Sequence, residues 1–120
     1  MPTKLVLITR SDLSPGYQSV QPAHALAQFS QTYPSSFKEW YDREQNLIVL
    51  ATTNEKQLLK LARLFSKASL DHVVFREPDI GNHVTAVAVG PSEAACKLTS
   101  NLPLALRDHP PTKMKRCWFG

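Results

Sequence analysis

Short, unbroken apolar runs rich in branched residues limit what this chain can become. "KLVLIT" (Lys4 to Thr9) and "NLIVLAT" (Asn46 to Thr52) carry no polar alternation. Such runs read as strands covered on both faces, because a strand with one wet face alternates apolar and polar residues. "DHVVFRE" (Asp71 to Glu77) and "HVTAVAVG" (His83 to Gly90) read as two further strands, joined by the turn sequence "PDIGN".

Between the strands lie segments with helical signals. "DLSPGYQ" reads as a loop on Pro15 and Gly16, with a helix from about Ser19 or Gln21 to Ser30 that "TYPSS" breaks. "SFKEWYDRE" reads as a short helix whose Phe37, Trp40 and Tyr41 are expected in the core. Asn54 caps a helix over Glu55 to Ser69, and Pro91, Ser92 and Glu93 open a last one over Ser92 to Asn101. Strands separated by helices imply parallel crossovers, whereas the two closely spaced strands imply an antiparallel hairpin. The expectation is therefore α/β: one domain with a mixed four-stranded sheet and helices on both faces. It spans residues 1–106, and an irregular basic tail, "RDHPPTKMKRCWFG", occupies 107–120.

The 120 residues suit one core, and 42% hydrophobic with 20% charged residues is the composition of a folding chain. A net charge of +4 favours anionic partners such as nucleic acid, with plain solubility as the alternative. Cys96 and Cys117 form no metal-binding set, so neither metal nor cofactor is expected; Cys96 reads as a small packed hydrophobe. No apolar run approaches the ~18 residues of a membrane span, and the N-terminal run is too short for a signal peptide. A cytoplasmic protein without membrane attachment is expected.

Three groups of residues could carry chemistry. In "SVQPAHALAQF", Pro22 marks a helix start and places His24 within about a turn of it. The helix terminus would disfavour imidazolium, leaving His24 able to accept a proton from water beside free amides that could hold an anion. A histidine hydrogen-bonded inside the helix–sheet interface is the plain alternative. Arg10 and Asp12 follow the first strand, and Asp79, Asn82 and Thr85 follow the third. If those strands run parallel, both groups meet on the edge where open α/β sheets bind ligands, though turn chemistry alone also explains them. Finally, Lys56, Lys60, Arg63 and Lys67 fall within a stripe of about 60° on the third helix, opposite Leu58, Leu61, Ala62, Phe65 and Ala68. That stripe reads either as a solvated face or as a ridge that tracks phosphates.

These motifs resemble a known family. "KLVLITRSDLSPG" followed by "VQPAHALAQF" is similar to the opening of the archaeal/eukaryotic-type peptidyl-tRNA hydrolases: a hydrophobic strand, R-x-D-L, a loop, then Q-x-A-H-A on a helix. Gln21, Ala23, His24 and Ala25 match the helix motif, and Asp79, Gly81, Thr85, Gly90 and Pro91 match a later D-x-G…T-x-x-x-x-G-P segment. Two departures accompany the match. No lysine lies between Arg10 and Lys38, where the family carries one implicated in catalysis, and "DIGNHV" abbreviates the family's longer loop, removing an implicated threonine. In this the chain is closest to the divergent peptidyl-tRNA hydrolase domain-containing branch.

The resemblance implies an esterase that cleaves the bond between a peptide and the terminal ribose of tRNA by water attack. His24 would position or deprotonate the water, with Asp79 and Asp12 as orienting carboxylates. Thr85, Asn82 and helix amides would hold the oxyanion or ribose, and Gln21 would bind substrate. Arg10 and the Lys56, Lys60, Arg63, Lys67 ridge would hold phosphates. Peptidyl-tRNA is the implied partner, with a homodimer also implied. A catalytically inactive RNA-binding or protein-interaction module on the same fold is the alternative.

Overall fold

Every apolar run of the sequence forms a strand in the computed structural model, which describes residues 4–107. The strands are β1 (Leu5–Arg10), β2 (Leu47–Thr52), β3 (His72–Glu77) and β4 (His83–Val89). The helices are α1 (Pro15–Thr32), α2 (Pro34–Arg43), α3 (Glu55–Lys67) and α4 (Glu93–Thr99). The sheet has the order β2-β1-β4-β3, with β1 parallel to β2 and β4 antiparallel to both β1 and β3. β1, β2 and β3 therefore point the same way, and their carboxyl ends share one edge with the start of β4.

Strand alternation divides the core in two. Leu5, Leu7, Val73, Ala86 and Ala88 pack with Ala25 and Phe29 of α1 and Trp40 of α2. Val6, Ile8, Val87 and Val89 pack on the other face with Leu58, Leu61, Ala62 and Phe65 of α3 and Ala95 of α4. The small Ala86 and Ala88 are fully buried beneath α1. The segment after α4 covers part of the β2 edge, with Ala51 N–H bonded to Pro103 O and Ala105 N–H to Val49 O. This protects an edge that would otherwise expose unpaired peptide groups.

Three expectations need correction. α1 begins at Pro15, not near Ser19 or Gln21: Ser14 is its cap, accepting a hydrogen bond from Tyr17 N–H, and Pro15 takes the first helical position. Pro22 is thus an internal, buried residue with no N–H to give Gln18 O. Tyr41 is 55% exposed, whereas Trp40 is buried as expected. Ala68 is the exposed cap residue after α3 rather than part of its buried face. Residues 108–120 of the expected tail lie outside the described residues.

β4 also breaks its own alternation. Phe75 pairs with Ala86 but the next residue, Arg76, pairs with Val84, so Thr85 is an extra residue in β4. The consequence is visible in the core: Val84 joins Val87 and Val89 on the α3 face, although strict alternation would send it to the α1 face. Thr85 turns instead toward α1.

Phe29, fully buried against this close-packed interface, gives a direct test of the two-layer core. Phe29→Ala should destabilise the domain by about 3–5 kcal/mol in chemical denaturation. Val20→Ala, on the exposed side of the same helix, should stay within about 0.5 kcal/mol of wild type.

Candidate active site

The bulge at Thr85 supplies a hydroxyl to a polar chain buried between α1 and the sheet. Thr85 Oγ1 donates to Gln21 Oε1, and Gln21 Nε2 donates to Glu77 Oε1 at 2.9 Å. Glu77 Oε2 in turn accepts the Asp79 N–H at 3.2 Å. From the other side, Thr9 Oγ1 donates to Thr85 O at 2.9 Å, and Thr52 Oγ1 to Thr9 O at 3.3 Å. The chain thus links all four strands, β2 to β1 to β4 directly and β4 to β3 through Gln21 of α1. Gln21 is 1% exposed, so its amide depends on these partners, which also fix which end is oxygen and which nitrogen.

His24 lies three residues after Gln21 on α1, hence on the same side of the helix. Its exposed ring stacks on Phe75 of β3, with centroids 4.7 Å apart and planes within 5°. Phe75 and Glu77 lie on one face of β3, two residues apart. The Gln21 amide and then the Asp79 N–H hold the Glu77 carboxyl below the usual glutamate range, against the opposing effect of burial, and a charged His24 adds to the lowering. The arrangement is a solvent-accessible imidazole on an aromatic support, beside a carboxylate kept ionised.

Of the residues singled out in the sequence, the structure brings His24, Gln21 and Thr85 together, and Asp79 joins them through its backbone. Asp12 is instead paired with Arg10, whose Nε and Nη2 donate to its two oxygens at 2.9 and 3.0 Å. That bond holds the Asp12 carboxyl below its ordinary value. Arg10 Nη1 also donates to Val84 O at 3.0 Å. Asn82 is exposed with φ 59°, next to Gly81 at φ 74°, in the left-handed turn that starts β4. Lys56, Lys60, Arg63 and Lys67 are exposed on α3, across the sheet from α1. The helix amides expected beside His24 are not there: His24 sits nine residues beyond Pro15, about 13 Å from the start of α1.

Sequence reading missed Glu77 and Phe75. Their signal was present, because Val73, Phe75 and Glu77 recur at every second residue and so share a face. An acidic residue closing that series at the polar edge of the sheet is a candidate for chemistry.

Comparison with known proteins decides which family this fold and site belong to. The profile of the family described as peptidyl-tRNA hydrolase PTH2 matches residues 3–105. The chain belongs to this family. A peptidyl-tRNA hydrolase of Thermococcus sibiricus is 32% identical over 113 residues, covering 84% of this chain and 96% of the relative. That of Staphylothermus marinus is 33% identical over 113 residues, covering 84% and 93%. Among solved structures, a protein of unknown function from Agrobacterium tumefaciens C58 superposes with a TM-score of 0.64 at 16% identity, over 87% of this chain and 98% of the other, a likeness of fold. Membership in the peptidyl-tRNA hydrolase PTH2 family supports a hydrolase function for the chain. Among the described residues of this family member, no group of three or more His, Cys, Asp or Glu side chains could hold a metal ion, and no helix is long and apolar enough to cross a membrane.

The depressed Glu77 carboxyl sets a pH signature. Its contribution to stability is complete above the unfolded value of 4.5 and is lost as pH falls from there through the lower folded value. Wild type should therefore lose stability more steeply than Glu77→Gln below about pH 4.5 in denaturant titrations. Equal acid slopes would show that the carboxylate gains nothing from Gln21 and Asp79.

Proposed function

We propose that this protein hydrolyses the ester joining a peptide to the terminal ribose of tRNA, with His24 as general base. The observation that carries this reading is the buried chain from Thr85 through Gln21 to Glu77, which ends beside the exposed, Phe75-stacked His24. Family membership supports the substrate class.

In this mechanism His24 takes a proton from water as the water oxygen attacks the ester carbonyl carbon. A tetrahedral oxyanion forms; its collapse breaks the bond to the ribose oxygen, which receives the proton back from His24. The products are a free tRNA hydroxyl and a peptide carboxylic acid, which releases the second water proton to solvent and leaves as the carboxylate. Glu77 stabilises the imidazolium that exists between the two transfers, while Thr85 acts through Gln21 because its hydroxyl is already committed there. Asp79 orients the water, with Asp12 as a more distant carboxylate at the same edge, and the Asn82 amide serves the oxyanion or ribose. The α3 ridge meets phosphates of the tRNA body remote from the ester, and Arg10, at the edge that carries Asp12, meets a phosphate nearer to it. The reaction needs no metal or cofactor, and the setting is cytoplasmic translation, with a second copy of the chain as a further partner.

One observation favours a second reading, a module that binds RNA or protein without turnover. No Lys, Arg, Asp or Glu occurs between Asp12 and Lys38, so α1 brings no cation to the ester.

Turnover of an N-blocked aminoacyl-tRNA separates the readings. Purified protein should release the blocked amino acid, and His24→Ala should slow release by about 10²-fold or more while remaining folded. Binding without release in wild type, or an unaffected His24→Ala, would favour the second reading. Charge reversal at Lys60 and Arg63 should weaken tRNA binding and reduce the slope of log K against log salt by nearly one unit for each phosphate that is no longer neutralised. An unchanged slope would leave the ridge as a solvated face.

A further inference from the structure

The bulge that aims Thr85 has its own support on the opposite face of the sheet. At the bulge, β4 leaves its ladder with β1, whose last pair is Thr9 with Ala86. The Val84 peptide groups on that side have no strand partner, and a buried, unpaired N–H or C=O is strongly unfavourable. Two side chains take their place. Glu55, the first residue of α3, accepts the Val84 N–H through Oε2 at 2.7 Å, and Arg10 donates to Val84 O. Glu55 Oε1 lies 3.0 Å from His83 Nδ1, which ties the preceding residue of β4 to the same carboxylate.

We infer that Glu55 is a positioning residue for the site on the other face: by holding the Val84 peptide it fixes the β4 bulge, and the bulge points Thr85 Oγ1 at Gln21. The alternation of β4 supports this. Restoring a regular ladder would move Thr85 to the α3 face and Val84 to the α1 face. Gln21 Oε1 would then lose its donor, and the partner of Glu77 would lose its anchor. Glu55 touches none of Gln21, Glu77 or His24, so its influence travels through the backbone of residues 83–85. The functional part of this inference rests on the proposed hydrolase reading; the structural part does not.

Two conservative variants separate reach from charge. Glu55→Gln keeps an oxygen at the same reach and removes the charge. Glu55→Asp keeps a carboxylate at the helix start but shortens it by one methylene. Side-chain amide resonances of Gln21 report directly on its two partners and need no catalytic activity. If Glu55 acts by positioning, Glu55→Gln leaves these resonances and turnover near wild type. Glu55→Asp then shifts the resonances and lowers kcat by about ten- to a hundredfold with KM little changed, the signature of a misplaced reacting group. The reverse order, Glu55→Asp normal and Glu55→Gln impaired, would overturn the inference by showing that only charge matters. Unchanged Gln21 resonances in both variants would overturn it as well. Absence of turnover in wild type would defeat the hydrolase reading alone, and the Gln21 resonances would still decide the positioning role.

Discussion

A primary amide buried to 1% exposure, as at Gln21, must find both a donor and an acceptor inside the protein. Leaving one end unpaired costs about 1–3 kcal/mol. This requirement organises the site. The amide oxygen needs a hydroxyl from β4, which is available only because the bulge turns Thr85 toward α1. The amide nitrogen needs an acceptor from β3, and Glu77 supplies one in charged form. Once both ends are satisfied, α1 has one register against the sheet, and His24, one turn further on, has one place to stack.

Charge is distributed to match this division. The α3 face carries Lys56, Lys60, Arg63 and Lys67, whereas the segment from Leu13 to Phe37 contains His24 as its one ionisable side chain apart from Tyr17 and Tyr33. On the proposed reading, long-range attraction for tRNA comes from the far side of the sheet. On the same reading, the chemistry at α1 rests on hydrogen bonds and on a single imidazole. The tight packing of Ala25 and Phe29 over Ala86 and Ala88 gives that imidazole a rigid base.

Much of the fold was legible because its signals are local. Continuous apolar runs marked β1 and β2, Asn54 marked the start of α3, and the two spacing patterns gave the mixed sheet. The start of α1 was harder, since the sequence offers two prolines at equivalent positions in a helix-start pattern. Pro15 wins because Ser14 can cap it, and the error misplaced the helix start by four to six residues, between one and two turns. The bulge at Thr85 was not legible, because "HVTAVAV" is a regular strand to any local rule. Only contacts remote in sequence distinguish the bulged strand from the regular one: the demand of Gln21, 64 residues away, for a donor, and the hold of Glu55 and Arg10 on the Val84 peptide. Glu77 escaped notice for a related reason: at the end of a strand, an acidic residue reads as the onset of a turn.

The central claim is that Thr85, Gln21 and Glu77 act as one unit rather than as three independent contacts. A double-mutant cycle in folding stability tests it most directly, using Thr85→Val and Gln21→Leu singly and together. If the unit is real, each single variant strands a buried partner and the double variant removes both, giving an interaction energy of about 0.5–3 kcal/mol. Additivity within about 0.5 kcal/mol would mean that the two side chains do not depend on each other, and the account of the site would be wrong.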